Sequence, residues 1–205
     1  MIRAFLFDIG NVIVRFDFAR AVRAVASLSD VPDEAAVLQR IDAAKLIYED
    51  GGMTRDEFLE QAFALLKYRG SREQFVAAWQ DIFWANEPMH ALIRSLHARY
   101  PIHLLSNTND MHVEGLFRDF PVFECVTTGV YSHEVHASKP HPRIYEIACE
   151  KCGIEPATTF FIDDLAANIE AARAASFQAH HYHHDRHDSL LKEIEAAGVA
   201  ITHRE

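Results

Sequence analysis

Three carboxylates in this chain stand where apolar segments end or are interrupted. In "FLFDIGNVIV", residues 5–14, Asp8 interrupts an apolar run, and a later run, "FFI", ends in Asp163 and Asp164. An acid at such a position needs a partner, because burying an unpaired charge is costly. Carboxylates that meet repel one another, and a hard cation such as Mg²⁺ relieves that repulsion. The three acids therefore predict a magnesium site, although Asp163 and Asp164 taken alone also suit the start of a helix.

A serine, an asparagine and a lysine add groups that bind phosphate. Ser106 and Asn107 follow an apolar run in "LLSNTN", and Lys139 precedes a helical pattern in "SKPHPRIY". A lysine balances phosphate charge as a compact cation, while a hydroxyl and backbone amides hold the remaining oxygens. Ser106 and Asn107 alone are ordinary turn residues. The joint occurrence of these residues at several segment ends indicates phosphate chemistry.

The segments that carry these side chains read as alternating strands and helices. Short buried runs predict strands at 4–7, 102–105 and 159–162, with weaker candidates at 125–130 and 178–182. Helical patterns separate them, at 89–99, 110–119, 142–152 and 165–175. This alternation predicts an α/β fold, a doubly wound and mostly parallel sheet. Ligands bind at the carboxyl ends of the strands of such a sheet, where these polar residues occur.

The segment from 18 to 85 shows only helical periodicity. Capping boxes open two of its helices, at Thr54–Glu57 and Ser71–Gln74, and Pro32 suits a first helical turn. This segment is too long for an ordinary crossover between strands. We therefore predict an α-helical cap at 16–88, inserted into a core formed by 1–15 and 89–205.

Composition narrows the class of protein. The 205 residues are 49% hydrophobic and 24% charged, and the net charge of −10 argues against a protein that holds nucleic acid. No apolar run reaches the length of a membrane span, and the N-terminus is a poor signal peptide. The three cysteines form no disulfide framework, and Cys149 and Cys152 lack a second ligand pair for a metal. These features predict a cytoplasmic protein with no membrane or nucleic-acid partner.

The four motifs "FDIGNV", "LLSNTN", "SKPHPRIY" and "FFIDDLAANI" resemble, in order, those of the haloacid dehalogenase superfamily. The helical insertion also lies where that family places its cap. Within the family, the motifs look closest to those of bacterial sugar-phosphate phosphatases, with an α-D-glucose-1-phosphate phosphatase as the nearest member. The resemblance implies an Mg²⁺-dependent phosphatase of a small phosphorylated metabolite, such as a sugar phosphate, that acts through an aspartyl-phosphate intermediate.

The resemblance also implies a role for each matching residue. Asp8 is the expected nucleophile. The implied metal ligands are Asp8, the carbonyl of Gly10, Asp163 and Asp164, with Asn168 bracing them. Ser106, Asn107 and Lys139 are expected to bind the transferring phosphoryl group.

Gly10 departs from the family pattern. Phosphatases of this family usually carry an aspartate there, which protonates the leaving alcohol and later activates water. Three explanations are open: an anomeric or acyl phosphate whose leaving group needs little help, a substitute acid such as Asp17, or slow or absent turnover. We favour the first, because the other motifs are intact.

Two other functions remain open on the sequence. A metal-independent 2-haloacid dehalogenase would use the same nucleophile at carbon, and a catalytically weak regulator would bind a phosphorylated ligand. In the cap, the paired glycines of "YEDGG" suggest a loop that touches substrate, so Tyr48 and Glu49 are candidate specificity residues. Trp79, Phe83 and Trp84 are expected in the cap core rather than in a substrate wall. The histidine-rich segment at 179–188 predicts adventitious rather than physiological metal binding.

Overall fold

A computed structural model describes residues 1–31 and 33–201, and Pro32 therefore lies outside the described residues. The strands in chain order are β1 (Ala4–Phe7), β2 (Val14–Phe16), β3 (Phe83–Ala85), β4 (Ile102–Ser106), β5 (Thr128–Tyr131), β6 (Thr159–Asp163) and β7 (Gln178–His181). The helices are α1 (Phe18–Ala26), α2 (Glu34–Glu49), α3 (Arg55–Leu66), α4 (Arg72–Gln80), α5 (Glu87–His97), α6 (Asp110–Asp119), α7 (Ser132–Val135), α8 (Pro142–Cys152), α9 (Ala166–Ala174) and α10 (His187–Ala196).

Five parallel strands form the central sheet, in the order β5-β4-β1-β6-β7. Alternate side chains of β1 point to opposite faces. Phe5 and Phe7 accordingly pack into one hydrophobic cluster with α5 and α10, and Ala4 and Leu6 into another with α8 and α9. A strand buried on both faces is apolar throughout, which is why the run 4–7 contains no polar residue. The predicted doubly wound, mostly parallel α/β fold is confirmed.

Helices α1 to α4 fill most of the chain between β2 and β3 and share a hydrophobic cluster to which Met111 of α6 also belongs. Trp79 is fully buried in it, stacked on Phe75 with ring centroids 5.5 Å apart. The capping boxes predicted at Thr54 and Ser71 are both present, at the starts of α3 and α4. The cap boundaries themselves, 16–88, stay a prediction.

One part of the helical prediction is wrong. Residues Phe83–Ala85 form β3, which pairs antiparallel with β2 in a separate two-stranded ribbon. A strand of three residues is too short to display an alternating pattern. Consequently Trp84 lies outside the cap core, 38% exposed, with the guanidinium of Arg15 5.7 Å from its ring. Of Trp79, Phe83 and Trp84, which were expected in the cap core, only Trp79 lies there.

Among the described residues, no helix is both long and apolar enough to cross a bilayer. The cytoplasmic location stays a prediction.

Candidate active site

The polar residues predicted to act together lie at the carboxyl ends of three neighbouring strands. Asp8 follows β1 directly, Ser106 ends β4, and Asp163 ends β6. Because β4 and β6 flank β1 in parallel, their carboxyl ends fall at one edge of the sheet. The structure thus brings together residues that are up to 155 positions apart along the chain.

Lys139 lies at the centre of this edge. Its ammonium nitrogen is 2.9 Å from Oδ1 of Asp8 and 2.6 Å from Oδ2 of Asp163, and the residue is only 5% exposed. Asn107 holds the lysine backbone in place: its Oδ1 accepts from the Lys139 amide at 2.8 Å, and its Nδ2 donates to the Lys139 carbonyl at 2.9 Å. The two phosphate-site motifs are therefore locked to each other through Asn107.

The protonation states of this group follow from burial and charge. Burial alone would lower the pKa of Lys139, but the carboxylates of Asp8 and Asp163 outweigh it and leave that pKa above its ordinary value. Burial raises the pKa of Asp8 to about 6, with Lys139 opposing the rise and the carboxylates of Asp163 and Asp164 adding to it. The lysine therefore stays charged, and the charged form of Asp8 is disfavoured mainly by burial, with a smaller contribution from the neighbouring carboxylates.

The three carboxylates fit a divalent cation. One oxygen from each of Asp8, Asp163 and Asp164 lies within 4.8 Å of the other two. The ammonium of Lys139 balances one of the three negative charges, which leaves an excess that a divalent cation would offset. Burial also raises the pKa of Asp164, as expected of an acid held near others without full compensation.

Asp163 differs from the other two acids in having several protein donors. Its oxygens accept from Lys139, from the Leu165 amide at 2.8 Å and from Nδ2 of Asn168 at 2.9 and 3.1 Å. Asn168 is itself buried, one turn into α9. Asp163 thus anchors Lys139, and Asn168 orients Asp163, whereas the predicted ligand role of Asp163 stays a prediction.

The aromatic ring of Phe16 lies close to Gly10. A Cβ built on Gly10 would lie 3.1 Å from Cε1 of Phe16, and the residue does not have the left-handed backbone that excludes side chains. Phe16 is 40% exposed, so its ring is free to shift by the few tenths of an ångström that a side chain would need. The backbone at position 10 could therefore carry an aspartate, and backbone geometry does not explain why the acid is missing.

Asp17 and Tyr48 are engaged in other contacts. Asp17 is the N-cap of α1, where its carboxylate accepts from the Ala19 amide at 3.0 Å and lies 3.8 Å from Arg23. Tyr48 is 2% exposed, stacks on Phe58 in the cap and donates a hydrogen bond to Asp110 of α6. Their proposed roles, as a substitute acid and in specificity, stay predictions. Glu49 ends α2 and pairs with Lys45 at 2.8 Å.

Three residues that the sequence did not single out hold parts of the site in place. Asn11, with φ at 53°, donates from Nδ2 to Oδ2 of Asp164 at 3.0 Å. Ser132 bridges the Thr108 amide and the Glu49 carbonyl, and thereby joins core and cap. Lys45 pairs with Glu49. Asn11 could have been singled out from the sequence, because it is a polar residue directly after Gly10. Ser132 follows an ordinary edge strand, and nothing in the neighbouring sequence distinguishes it.

The histidine-rich segment does not gather around one point. His180 lies 2.8 Å from Glu193, and His181 contacts the Asp164 carbonyl at 2.8 Å. His183, His184 and Asp185 do lie close enough together to hold a metal, at a surface turn.

Burial raises the pKa of the Cys149 thiol, and it raises the pKa of the Cys152 thiol to about 11. Both shifts disfavour the thiolate needed for redox or metal chemistry.

A parallel sheet with acids, a serine and a lysine at its carboxyl edge, and with a helical insertion after its first strand, defines the class of the haloacid dehalogenase-like proteins. The family model of the haloacid dehalogenase-like hydrolases matches residues 2–176, and the chain therefore belongs to that family. The predicted family and its hydrolase character are confirmed.

Known proteins of two activities resemble the chain. D-ribitol-5-phosphate phosphatase of Bacteroides thetaiotaomicron is 28% identical over 189 residues, which covers 87% of this chain and 90% of the phosphatase. A crystal structure of a HAD family enzyme from the same organism, in complex with magnesium and inorganic phosphate, superimposes with a TM-score of 0.77 at 28% identity. That alignment covers 88% of this chain and 93% of the other. (S)-2-haloacid dehalogenase 4A of Burkholderia cepacia is 24% identical over 135 residues, 63% of this chain and 58% of the dehalogenase.

Proposed function

We propose that the protein is an Mg²⁺-dependent phosphatase of a small phosphorylated metabolite, a sugar phosphate or a related polyol phosphate. The observation that carries the proposal is the meeting of Asp8, Asp163 and Asp164, the first two of which contact the buried Lys139. Two positive groups, a lysine and a divalent cation, would face a phosphate dianion at this edge. The similarity to a D-ribitol-5-phosphate phosphatase, and to a structure that holds magnesium and phosphate, supports the same reading.

The proposed reaction has two steps at Asp8. A carboxylate oxygen of Asp8 attacks phosphorus, and the bond from phosphorus to the leaving oxygen breaks with its electron pair going to that oxygen, which takes a proton from solvent. Water then attacks the phosphorus of the aspartyl phosphate. The bond to Asp8 breaks, inorganic phosphate leaves with the oxygen of water, and the carboxylate is regenerated.

The other residues bind and orient the phosphoryl group. Lys139 faces Asp8 and would neutralise charge on the phosphoryl oxygens, while Ser106 and the Asn107 amide would hold those oxygens by hydrogen bonds. Asp8, the Gly10 carbonyl and Asp164 would hold the metal, with Asn11 orienting Asp164. When bound, Mg²⁺ lowers the repulsion between the Asp8 carboxylate and the phosphate.

The metal requirement gives the direct test of this function. Phosphate release from acetyl phosphate, α-D-glucose 1-phosphate and D-ribitol 5-phosphate is measured with Mg²⁺ and after treatment with EDTA. We expect release with Mg²⁺ and a loss of at least about 100-fold without it, because the acid cluster then repels the substrate. Mg²⁺ added back should restore the activity.

The same assay separates the competing functions. Chloride release from a 2-chlorinated acid that survives EDTA would favour the dehalogenase, since that chemistry needs no metal. Tight binding of a phosphorylated ligand with no phosphate release would favour the regulator. The crowded acids argue for the phosphatase over the dehalogenase, because displacement at carbon requires no metal.

Gly10 points to the kind of leaving group. With a glycine where the family's acid stands, a substrate whose leaving oxygen needs no proton, such as an anomeric or acyl phosphate, would react most readily. We therefore expect kcat/KM of the wild type to fall steeply from acetyl phosphate, through α-D-glucose 1-phosphate, to D-ribitol 5-phosphate.

Replacing Gly10 by aspartate tests this reading. In G10D we expect kcat for D-ribitol 5-phosphate to rise by about 100-fold, the lower end of what a positioned general acid contributes, and acetyl phosphate hydrolysis to change little. Gly10→Asn serves as the matched control, since it adds the same volume beside Phe16 without an acid. A flat dependence of the wild-type rate on the leaving group, or no gain in G10D, would contradict the leaving-group hypothesis.

A further inference from the structure

Asn11 has a backbone conformation that few residues other than glycine adopt. Its φ is 53°, in the left-handed region, where asparagine occurs more often than most other residues that carry a side chain. A glycine would fit this backbone without strain. The conformation alone therefore does not account for an asparagine at position 11, and the reason for a side chain here lies in what that side chain contacts.

The Asn11 side chain contacts Asp164, a residue expected to bind the metal. Its Nδ2 donates to Oδ2 of Asp164 at 3.0 Å, and no other side chain in residues 1–31 and 33–201 donates a hydrogen bond to that carboxylate. His181 contacts the main chain of the same residue, with its Nε2 2.8 Å from the Asp164 carbonyl oxygen. Asp164 is thus fixed at two points, its main chain by His181 and its carboxylate by Asn11.

Asp8 resembles Asp164 in having one carboxylate oxygen bound by a protein donor. The ammonium of Lys139 lies 2.9 Å from Oδ1 of Asp8, just as the Asn11 amide binds Oδ2 of Asp164. An oxygen that accepts such a bond is less available to a cation, and the bond also fixes the direction of the other oxygen. Asp8 and Asp164 would therefore each bind a metal mainly through the remaining oxygen.

Binding through one carboxylate oxygen suits Mg²⁺ better than Ca²⁺. Mg²⁺ is small and requires a near-ideal octahedron, in which several ligands are waters, whereas Ca²⁺ accepts about six to eight oxygens and often takes both oxygens of a carboxylate. The two cations carry the same charge, so the negative charge of the acid cluster does not distinguish them. The number of oxygens that each carboxylate offers does distinguish them.

We propose that Asn11 is a positioning residue that sets the preference of the metal site for Mg²⁺ over Ca²⁺, because it holds one oxygen of Asp164 and leaves only the other for the cation. This inference rests on the proposed Mg²⁺-dependent function. Without the Asn11 amide, the Asp164 carboxylate is free to rotate and to present both oxygens. That arrangement suits the larger cation and fits the smaller one less well.

Binding of each cation to the metal-free protein tests this role of Asn11 without a measurement of activity. Isothermal titration calorimetry, after treatment with EDTA and dialysis, gives Kd for Mg²⁺ and for Ca²⁺. In Asn11→Gly, which retains the left-handed backbone, we expect Kd for Mg²⁺ to rise by about 10- to 100-fold, the usual effect of losing the partner of a metal ligand. Kd for Ca²⁺ should change by less than about threefold, so that the preference for Mg²⁺ falls by at least about threefold.

A second variant and a matched control accompany Asn11→Gly. Asn11→Asp keeps the size of the side chain and tolerates the left-handed backbone, but an ionised carboxylate cannot donate. The added oxygens suit Ca²⁺, so the preference for Mg²⁺ should fall in this variant as well. Ser176→Gly is the control, because Ser176 has a φ of 71°, is exposed and precedes β7 at the opposite edge of the sheet. We expect it to leave both dissociation constants unchanged.

The outcomes separate failure of this inference from failure of the proposed function. Thermal unfolding in EDTA verifies that each variant is folded. If N11G and N11D keep the wild-type constants, or bind both cations equally more weakly, the inference is overturned and the Mg²⁺-dependent phosphatase is left intact. A wild type that binds neither cation would remove the proposed function itself, and the inference with it.

Discussion

Replacing Asp8 by asparagine is expected to abolish phosphate release, with a loss on the order of 10⁴-fold or more in kcat. The amide keeps the size of the carboxylate but is a poor nucleophile, and it removes the charge that faces Lys139 at 2.9 Å. Hydrolysis of acetyl phosphate in Mg²⁺ measures the loss. Mass spectrometry after a rapid acid quench should find a phosphorylated aspartate in the wild type and none in D8N.

Asp17→Asn is the matched control for D8N, because Asp17 caps helix α1 and asparagine caps a helix equally well. We expect D17N to keep acetyl phosphate hydrolysis within about threefold, since a cap that is preserved leaves the site unchanged. A selective loss on D-ribitol 5-phosphate would instead make Asp17 the substitute acid. Full activity in D8N would refute the aspartyl-phosphate mechanism.

Replacing Lys139 by methionine is expected to have the second largest effect. The rate should fall by about 10²- to 10³-fold, because the phosphoryl oxygens lose a buried cation. In EDTA, the free energy of unfolding at neutral pH should fall by about 3 kcal/mol, because Asp8 and Asp163 lose their shared partner. Urea unfolding and acetyl phosphate hydrolysis provide the two measurements.

The stability deficit of K139M should depend on pH in a defined direction. The pKa of Asp8 is about 6 in the folded chain against an ordinary 3.8, so ionisation of Asp8 costs stability as pH rises through that interval. Lys139 limits this cost by lowering the pKa of Asp8, and its removal enlarges the cost. The deficit measured in EDTA should therefore be larger at pH 8 than at pH 5.

Lys151→Met provides the matched comparison, because Lys151 pairs with Glu134 at the surface, with side chains 41% and 45% exposed. That variant should change stability by less than about 1 kcal/mol at either pH. A K139M enzyme that is as stable and as active as K151M would show that the buried lysine does not organise the site.

The missing acid at Gly10 bears on which substrate the enzyme accepts. An anomeric sugar phosphate would suit a site without that acid, since its leaving oxygen needs little help. The α-D-glucose-1-phosphate expectation thus remains a specific prediction, to be weighed in the same assays against D-ribitol 5-phosphate.

Much of the fold and of the candidate site could be predicted from the sequence, because it depends on interactions between residues that are close along the chain. The run 4–7 is apolar because both faces of a central parallel strand are buried, and the capping boxes at Thr54 and Ser71 satisfy helix amides within four residues. Parallel strands also end at a common edge, which is why Asp8, Ser106 and Asp163 could be grouped from their positions at strand ends.

Tertiary structure alone decided the contacts that depend on exact distance between remote segments. The strand Phe83–Ala85 exists because it pairs with β2, and its sequence has too few residues to show a period. The division of labour between Asp163, which anchors Lys139, and Asp164, which Asn11 orients, is set by side-chain geometry across more than 150 positions. The burial of Lys45 and Glu49 likewise arises only when cap and core meet, because charge patterns on one helix do not reveal what packs against it.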